Sequence, residues 1–337
     1  MPQILPTRVF DDALLSPYRL IGDAPADAVV EALVAQQGMK ALKDLMSFLT
    51  DTKDFDFTKQ PSAVAHFIVE HSQFPAWSHR PTMQKGIDFF IKHQSQIALL
   101  LGCYSLPYCY AAAQGAQVLW LSERIKNDTL RRLEETGEFV FAIMQARDWD
   151  NGRNFVRILK VRLMHAVVRY FTRHSPQWNN DWGLPINQED MSGTNLAFSY
   201  IVIRGLRKLN IATTPQEEEA YLHFWNVVGE LLGVDEILLP QNLREAYHLD
   251  RAIARRHFQT SEAGVGLTKA LLNTLQTRLA PPNLSNLPVA QMRYLLGQDI
   301  ADLLQIPPVD LEENILKIAI QSPFSSYFFR IPNITHN

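Results

Sequence analysis

The chain has 337 residues, of which 47% are hydrophobic and 20% charged, with a formal net charge of −3. That balance suits a globular protein large enough to bury a core and enclose a cofactor. It excludes nucleic-acid binding through a basic footprint, because lysine and arginine are scattered rather than clustered. The two cysteines, Cys103 and Cys109, fit neither a disulfide framework nor zinc-ligand spacing. They read as buried free thiols in a reducing compartment. The opening MPQILPTRVFDD lacks a basic segment followed by an apolar one, so a signal peptide is not expected and a cytoplasmic location is.

In chain order, residues 1–25 carry four prolines and read as an irregular arm, with one large helical domain over 26–337. From Ala26 to Thr50 apolar residues recur at threes and fours, a helical period that Gly38 interrupts. DTKDFDFTKQP is a loop, and Pro61 starts the helix of SAVAHFIVEHSQ. A break at Phe74–Trp77 precedes a helix from about Thr82, which Pro107 kinks or stops. From Gln94 to Ser122 no residue is charged, which is long enough for a bilayer span. Its glutamines, serines, glycines and proline fit buried core helices better, so no stable membrane span is expected. The small-residue run Tyr110 to Leu121 predicts a further helix.

Two helical segments follow between Leu130 and Phe171, joined by the polar run ARDWDNGRN. Asn187 caps the next helix, which runs through GTNLAFSYIVIRGLRKL. Pro215 and a run of glutamates open another, which Gly233 closes. Helices are expected at 240–260, 265–279 and 288–304. No strand-period segment stands out, so the fold class is all-α.

The central pair of helices carries the chemistry. Arg132 and Thr136 stand one turn apart on one face. Arg132 could instead pair with Asp128, and Thr136 could bond back to a carbonyl of its own helix. Gly137 is costly inside a helix and points to close approach by a cofactor or another backbone. His165 lies within VRLMHAVVRYF, flanked at three and four residues by Val161, Arg162, Val168 and Arg169. An imidazole among branched apolar residues suits the axial ligand of a flat apolar macrocycle. Arg162 and Arg169 are candidates for haem propionates, because a guanidinium grips carboxylate in a forked geometry. The other reading of His165 is a hydrogen-bonded core histidine.

The pieces RRLEET and VRLMH, with PINQEDMSGTNLAFS, YLHFWNVVGELLGV and YLLGQDIADLLQIP, resemble in order and spacing the rubber oxygenases, or latex-clearing proteins. The mycophenolic-acid-pathway oxygenase is a fungal relative of that family. The resemblance spans most of the chain, from the Trp77 region to Ala301. It implies a helical protein with a globin-like core, one haem b, an axial ligand at His165 and supporting pocket residues at Arg132 and Thr136. It also implies O₂ and an apolar isoprenoid or lipid-like substrate whose double bond is oxidatively cleaved or oxygenated. The rubber-cleaving members carry a lysine directly before the pocket threonine, where this chain has Glu135. They also use an upstream acid, where AAAQGAQVLWLSE offers Gln114, Gln117 and, further along, Glu123. These departures leave open a second reading, a haem- or lipid-binding protein without turnover, and a third, a helical scaffold that has lost haem. His223 is a second-choice iron ligand. Glu245 and His248 form a lone Glu-x-x-His pair, short of the set a di-iron bundle requires.

Overall fold

A computed structural model describes residues 7–122, 128–279 and 286–309. Among these residues there are helices and no strands; one isolated bridge joins Ala112 to Phe258. The expected irregular arm contains a helix, α1 (Asp12–Tyr18), started by the Asp11 side chain accepting from the Leu14 amide. Leu15 is fully buried in the main core, so the arm is packed into the domain. Pro17 lies inside that helix, one residue before its end.

The helices α2 (Ala24–Gln37) and α3 (Met39–Thr50) are separated by Gly38, as its place in the pattern predicts. Its φ of +74° is a conformation that glycine adopts without side-chain strain. Next come α4 (Ser62–His71) and the long α5 (Arg80–Leu100). A π-helical segment, Leu101–Ser105, leads into α6 (Leu106–Tyr110), so Pro107 falls at the start of a new helix, where its missing N–H costs nothing. The run from Tyr110 was expected to be helical throughout. Instead it turns, and α7 covers only Ala116–Leu121. None of the described helices is long and apolar enough to cross a membrane.

The central region forms α8 (Thr129–Ile143), α9 (Ala146–Asp150) and α10 (Arg153–Arg173), so the polar connection holds a short helix of its own. The helix expected after Asn187 is divided into α11 (Gln188–Phe198) and α12 (Tyr200–Lys208) at Ser199, whose backbone is non-helical. Thr214 and Glu217 make a capping box at α13 (Pro215–Leu231). Then come α14 (Leu243–His257), α15 (Glu262–Thr274), α16 (Leu287–Leu296) and α17 (Gln298–Leu303). Gly297, at φ +83°, divides the last two, which were expected as one helix.

Two hydrophobic clusters result. The larger one is built on the pairing of α5 with α13. The smaller joins α2, α3 and α4 to one face of α10 through Val156, Leu159, Leu163 and Val167. Gly86 lets α5 and α13 meet: a Cβ there would lie 2.6 Å from the Ala220 carbonyl oxygen and 2.8 Å from the Phe224 Cβ. Gly86→Ala is therefore expected to destabilise the protein by ~1–3 kcal/mol through overpacking. Thermal denaturation checks this; an unchanged midpoint means the two helices do not pack at this distance.

Candidate functional site

His165 occupies the centre of α10, and the helix explains its direction. Val156, Leu159, Leu163 and Val167 lie on the opposite face and are buried against the N-terminal helices. That burial fixes the rotation of α10 and turns His165 away from them. Val161 and Val168 flank the imidazole and, like it, keep partial accessibility. The His165 Nδ1 is buried and has no hydrogen-bond partner. A core histidine would normally spend that nitrogen on a partner, because an unsatisfied buried polar atom is costly. Burial, with the positive charges of Arg169 and Arg132, lowers the His165 pKa to about 4 and keeps the ring neutral, the form that binds a metal ion.

Arg132 on α8 reaches the same region. Its charge acts on both the His165 ring and the Tyr110 phenol of α6. The expected Asp128 partner is replaced: the Arg132 side chain donates to Glu135 at 2.9 Å, and Arg131 donates to the same carboxylate at 3.0 Å. Thr136 donates its hydroxyl to the Arg132 carbonyl at 2.9 Å, the within-helix bond foreseen as the alternative. Gly137 is buried in this helix.

Arg162 and Arg169, the expected propionate partners, turn instead toward the start of α2. Arg162 binds Asp23 through two bonds, of 2.6 and 2.8 Å, with both groups buried. Arg169 pairs with Asp27 and donates to the Pro185 and Ile186 carbonyls. Each pair is closely framed by a glycine. A Cβ on Gly233 would collide with Asp23 and Arg162, and one on Gly22 with Asp27 and Arg169. The two guanidiniums thus clamp the His165 helix to the N-terminal helices. Sequence reasoning missed Asp23 and Asp27 because they lie where the proline-rich arm meets the first helix; only their spacing of four matched the arginines' ability to reach one helix.

The remaining candidates disperse. His223 accepts a bond from the His79 amide at its Nε2, 3.0 Å away, and stands edge-on to Trp77, so that nitrogen is not free for iron. Glu245 is committed to Arg8, through contacts of 2.8 and 2.7 Å, and His248 is exposed. Gln114 accepts from Arg19 at 3.1 Å, and the same arginine pairs with Asp190 and donates to the Trp182 carbonyl. That network ties the upstream segment to α11. Glu123 lies outside the described residues. Cys109 borders this segment; burial, with the nearby Asp190 charge, pushes its thiol up to about 12. No group of three or more potential metal ligands occurs among the described residues; a haem asks for only one protein ligand at this face.

The comparisons with known proteins agree with this architecture. A family model described as ER-bound oxygenase mpaB/B'/Rubber oxygenase, catalytic domain, matches residues 93–320. The rubber oxygenase of Streptomyces sp. (strain K30) is 23% identical over 306 residues, which cover 89% of this chain and 74% of that protein. The solved structure of latex clearing protein LCP in the closed state superposes with a TM-score of 0.72 at 20% identity, covering 92% of this chain and 83% of that one. At that identity the superposition establishes a shared all-helical fold. With the family match spanning α5 through α17 and both halves of the His165 region, the chain is a member of the mpaB/B' and rubber oxygenase catalytic-domain family.

Proposed function

We propose that the protein is a haem b-dependent oxygenase that uses O₂ to cleave or oxygenate a double bond in an apolar, isoprenoid or lipid-like small molecule. The observation that supports this most is His165: a neutral imidazole with an unpartnered buried Nδ1, flanked on a partly accessible face of its helix by Val161 and Val168. Those features fit an axial histidine, whose second ring nitrogen commonly finds its partner once the first is bound to metal. Bound haem would supply O₂ activation at its iron.

The chain's own residues hold and shape the site. His165 would bind the iron, and Val161 and Val168 would pack against the macrocycle. Arg132 would offer positive charge at the cofactor edge, and Thr136 fixes the turn that presents it. Arg162 and Arg169 contribute by holding α10 against α2, which sets where the imidazole points. A cytoplasmic location and the globin-like core expected from the resemblance belong to this same proposal.

Glu135 favours considering a second reading, haem or lipid binding without turnover. It puts a carboxylate where rubber-cleaving relatives carry a lysine, and it neutralises part of the Arg132 charge. The ultraviolet–visible spectrum of purified protein, with a pyridine haemochrome assay, tests the haem. About one haem b per chain is expected. Incubation with prenyl oligomers and O₂ then separates the readings: carbonyl products support the oxygenase, and haem without O₂ consumption supports the binder. Protein that stays without a Soret band under ample haem supply overturns both in favour of a scaffold.

A further inference from the structure

Where α6, α12 and α14 meet, positive charge exceeds negative. Arg204 and Lys208 stand one turn apart on α12. The Arg204 guanidinium approaches one oxygen of the buried Asp250 carboxylate on α14 at 3.5 Å. The other oxygen of that carboxylate accepts from the Tyr108 hydroxyl of α6 at 2.6 Å. The Lys208 ammonium donates to the Leu295 carbonyl at 2.5 Å. Arg207, between them in sequence, is held by Glu218 through two of its nitrogens. Arg204 and Lys208 have no such partner. A guanidinium offers five N–H donors and an ammonium three, so both keep donors to spare among the described residues.

The same two cations border Tyr104, in the π-helical segment before α6. The Arg204 Cζ lies 5.8 Å from the centre of its ring and the Lys208 Nζ 5.3 Å. Tyr104 is fully buried, and its hydroxyl has no hydrogen-bond partner. A stranded buried hydroxyl is costly, and phenylalanine would fill the same space without that cost. The Arg204 side chain, by contrast, is 32% exposed, so the cluster opens to solvent at its cationic side. Spare cationic donors and an unused buried donor therefore meet at one place.

We propose that Arg204, Lys208 and the Tyr104 hydroxyl form a binding site for the carboxylate of a small organic acid. The guanidinium and the ammonium supply charge-assisted hydrogen bonds from the solvent side. The Tyr104 hydroxyl donates from the protein side and so gains the partner it lacks. Asp250 holds Arg204 in place and offsets one of the two positive charges. The single positive charge left over matches a carboxylate rather than a phosphate dianion. None of these residues is assigned to the haem site, so this inference does not depend on the haem reading.

The test is thermal denaturation of the purified full chain in increasing sodium acetate, with sodium chloride adjusted to hold ionic strength constant. The midpoint of the natural protein is expected to rise and then level off as the site fills. Tyr104→Phe should need at least about tenfold more acetate for the same rise, the loss expected for a hydrogen bond to a charged group. Lys208→Met, a change at a half-buried position, should weaken the response in the same way, and Arg204→Gln should remove it. Without acetate, Tyr104→Phe should melt no lower than the natural protein, because the hydroxyl it removes is unpaired. A clear drop in that midpoint overturns the site by showing the hydroxyl already satisfied. A rise that never levels off, or one that Tyr104→Phe shares in full, overturns it as a general salt effect. A larger, saturable response to sodium phosphate than to acetate overturns the carboxylate assignment.

Discussion

Replacing His165 by alanine is expected to abolish haem retention, so that the purified variant lacks the Soret band of the natural protein. The fold should survive, because the apolar residues that anchor α10 lie on its opposite face. Circular dichroism and the haemochrome assay together separate these effects. A variant with full haem content and an unchanged spectrum would sink the ligand assignment. The same residue sets a pH dependence. Burial and the arginine charges hold its folded-state pKa at about 4. In an unfolded chain the imidazole titrates near ~6.5. Between these values the unfolded chain binds the proton and the folded chain does not. The native state of the haem-free protein therefore loses stability as pH falls through that window, and this contribution is constant above it. Urea denaturation at several pH values checks the sign: the natural protein should weaken more on acidification than His165→Gln. Haem, bound by the neutral ring, should be retained into mild acid, because protonation of His165 competes with it only at lower pH.

Arg162→Ala is expected to be the most destabilising single change near the site. It leaves Asp23 buried without its partner, and breaking one half of a buried ion pair costs ~3–5 kcal/mol. The double variant Arg162→Met with Asp23→Leu should recover much of the loss, because it removes both charges and keeps the space filled. Thermal or urea denaturation of the natural protein and these two variants is the measurement. A near-natural midpoint for Arg162→Ala would show that the clamp contributes little to holding α10. The variant also bears on haem binding: with the clamp released, the imbalance should appear as weaker haem retention despite an intact His165.

The helical class and most helix ends are local matters, and so they are legible in the chain. Apolar spacing, Pro61, Asn187, Pro215 with the glutamates after it, and Gly38 each act on neighbouring backbone, and the structure follows them. The misses are also physical. Ser199 and Gly297 break continuous apolar patterns, because periodicity gives no weight to a single backbone rotation. The run after Tyr110 turns where Ala113 donates to the His257 carbonyl and Gln259 donates to the Ala111 carbonyl, both at the C-terminal end of α14. No local preference of small residues could announce that.

For the site, the sequence by itself determined that one histidine stands between branched apolar residues and arginines on a helix, with Arg132 and Thr136 a turn apart on another. Spacing along a helix fixes those relations. Only the tertiary structure decided which charges meet. It gave Arg162 and Arg169 to Asp23 and Asp27, and the His223 nitrogen to a backbone amide. Long side chains choose partners by proximity in space, and burial makes each choice exclusive, since a buried charge needs its counter-charge and a buried nitrogen its hydrogen bond. His165 is one of the exceptions to that rule: the folded chain leaves its buried Nδ1 without a partner, as it leaves the His93 Nε2.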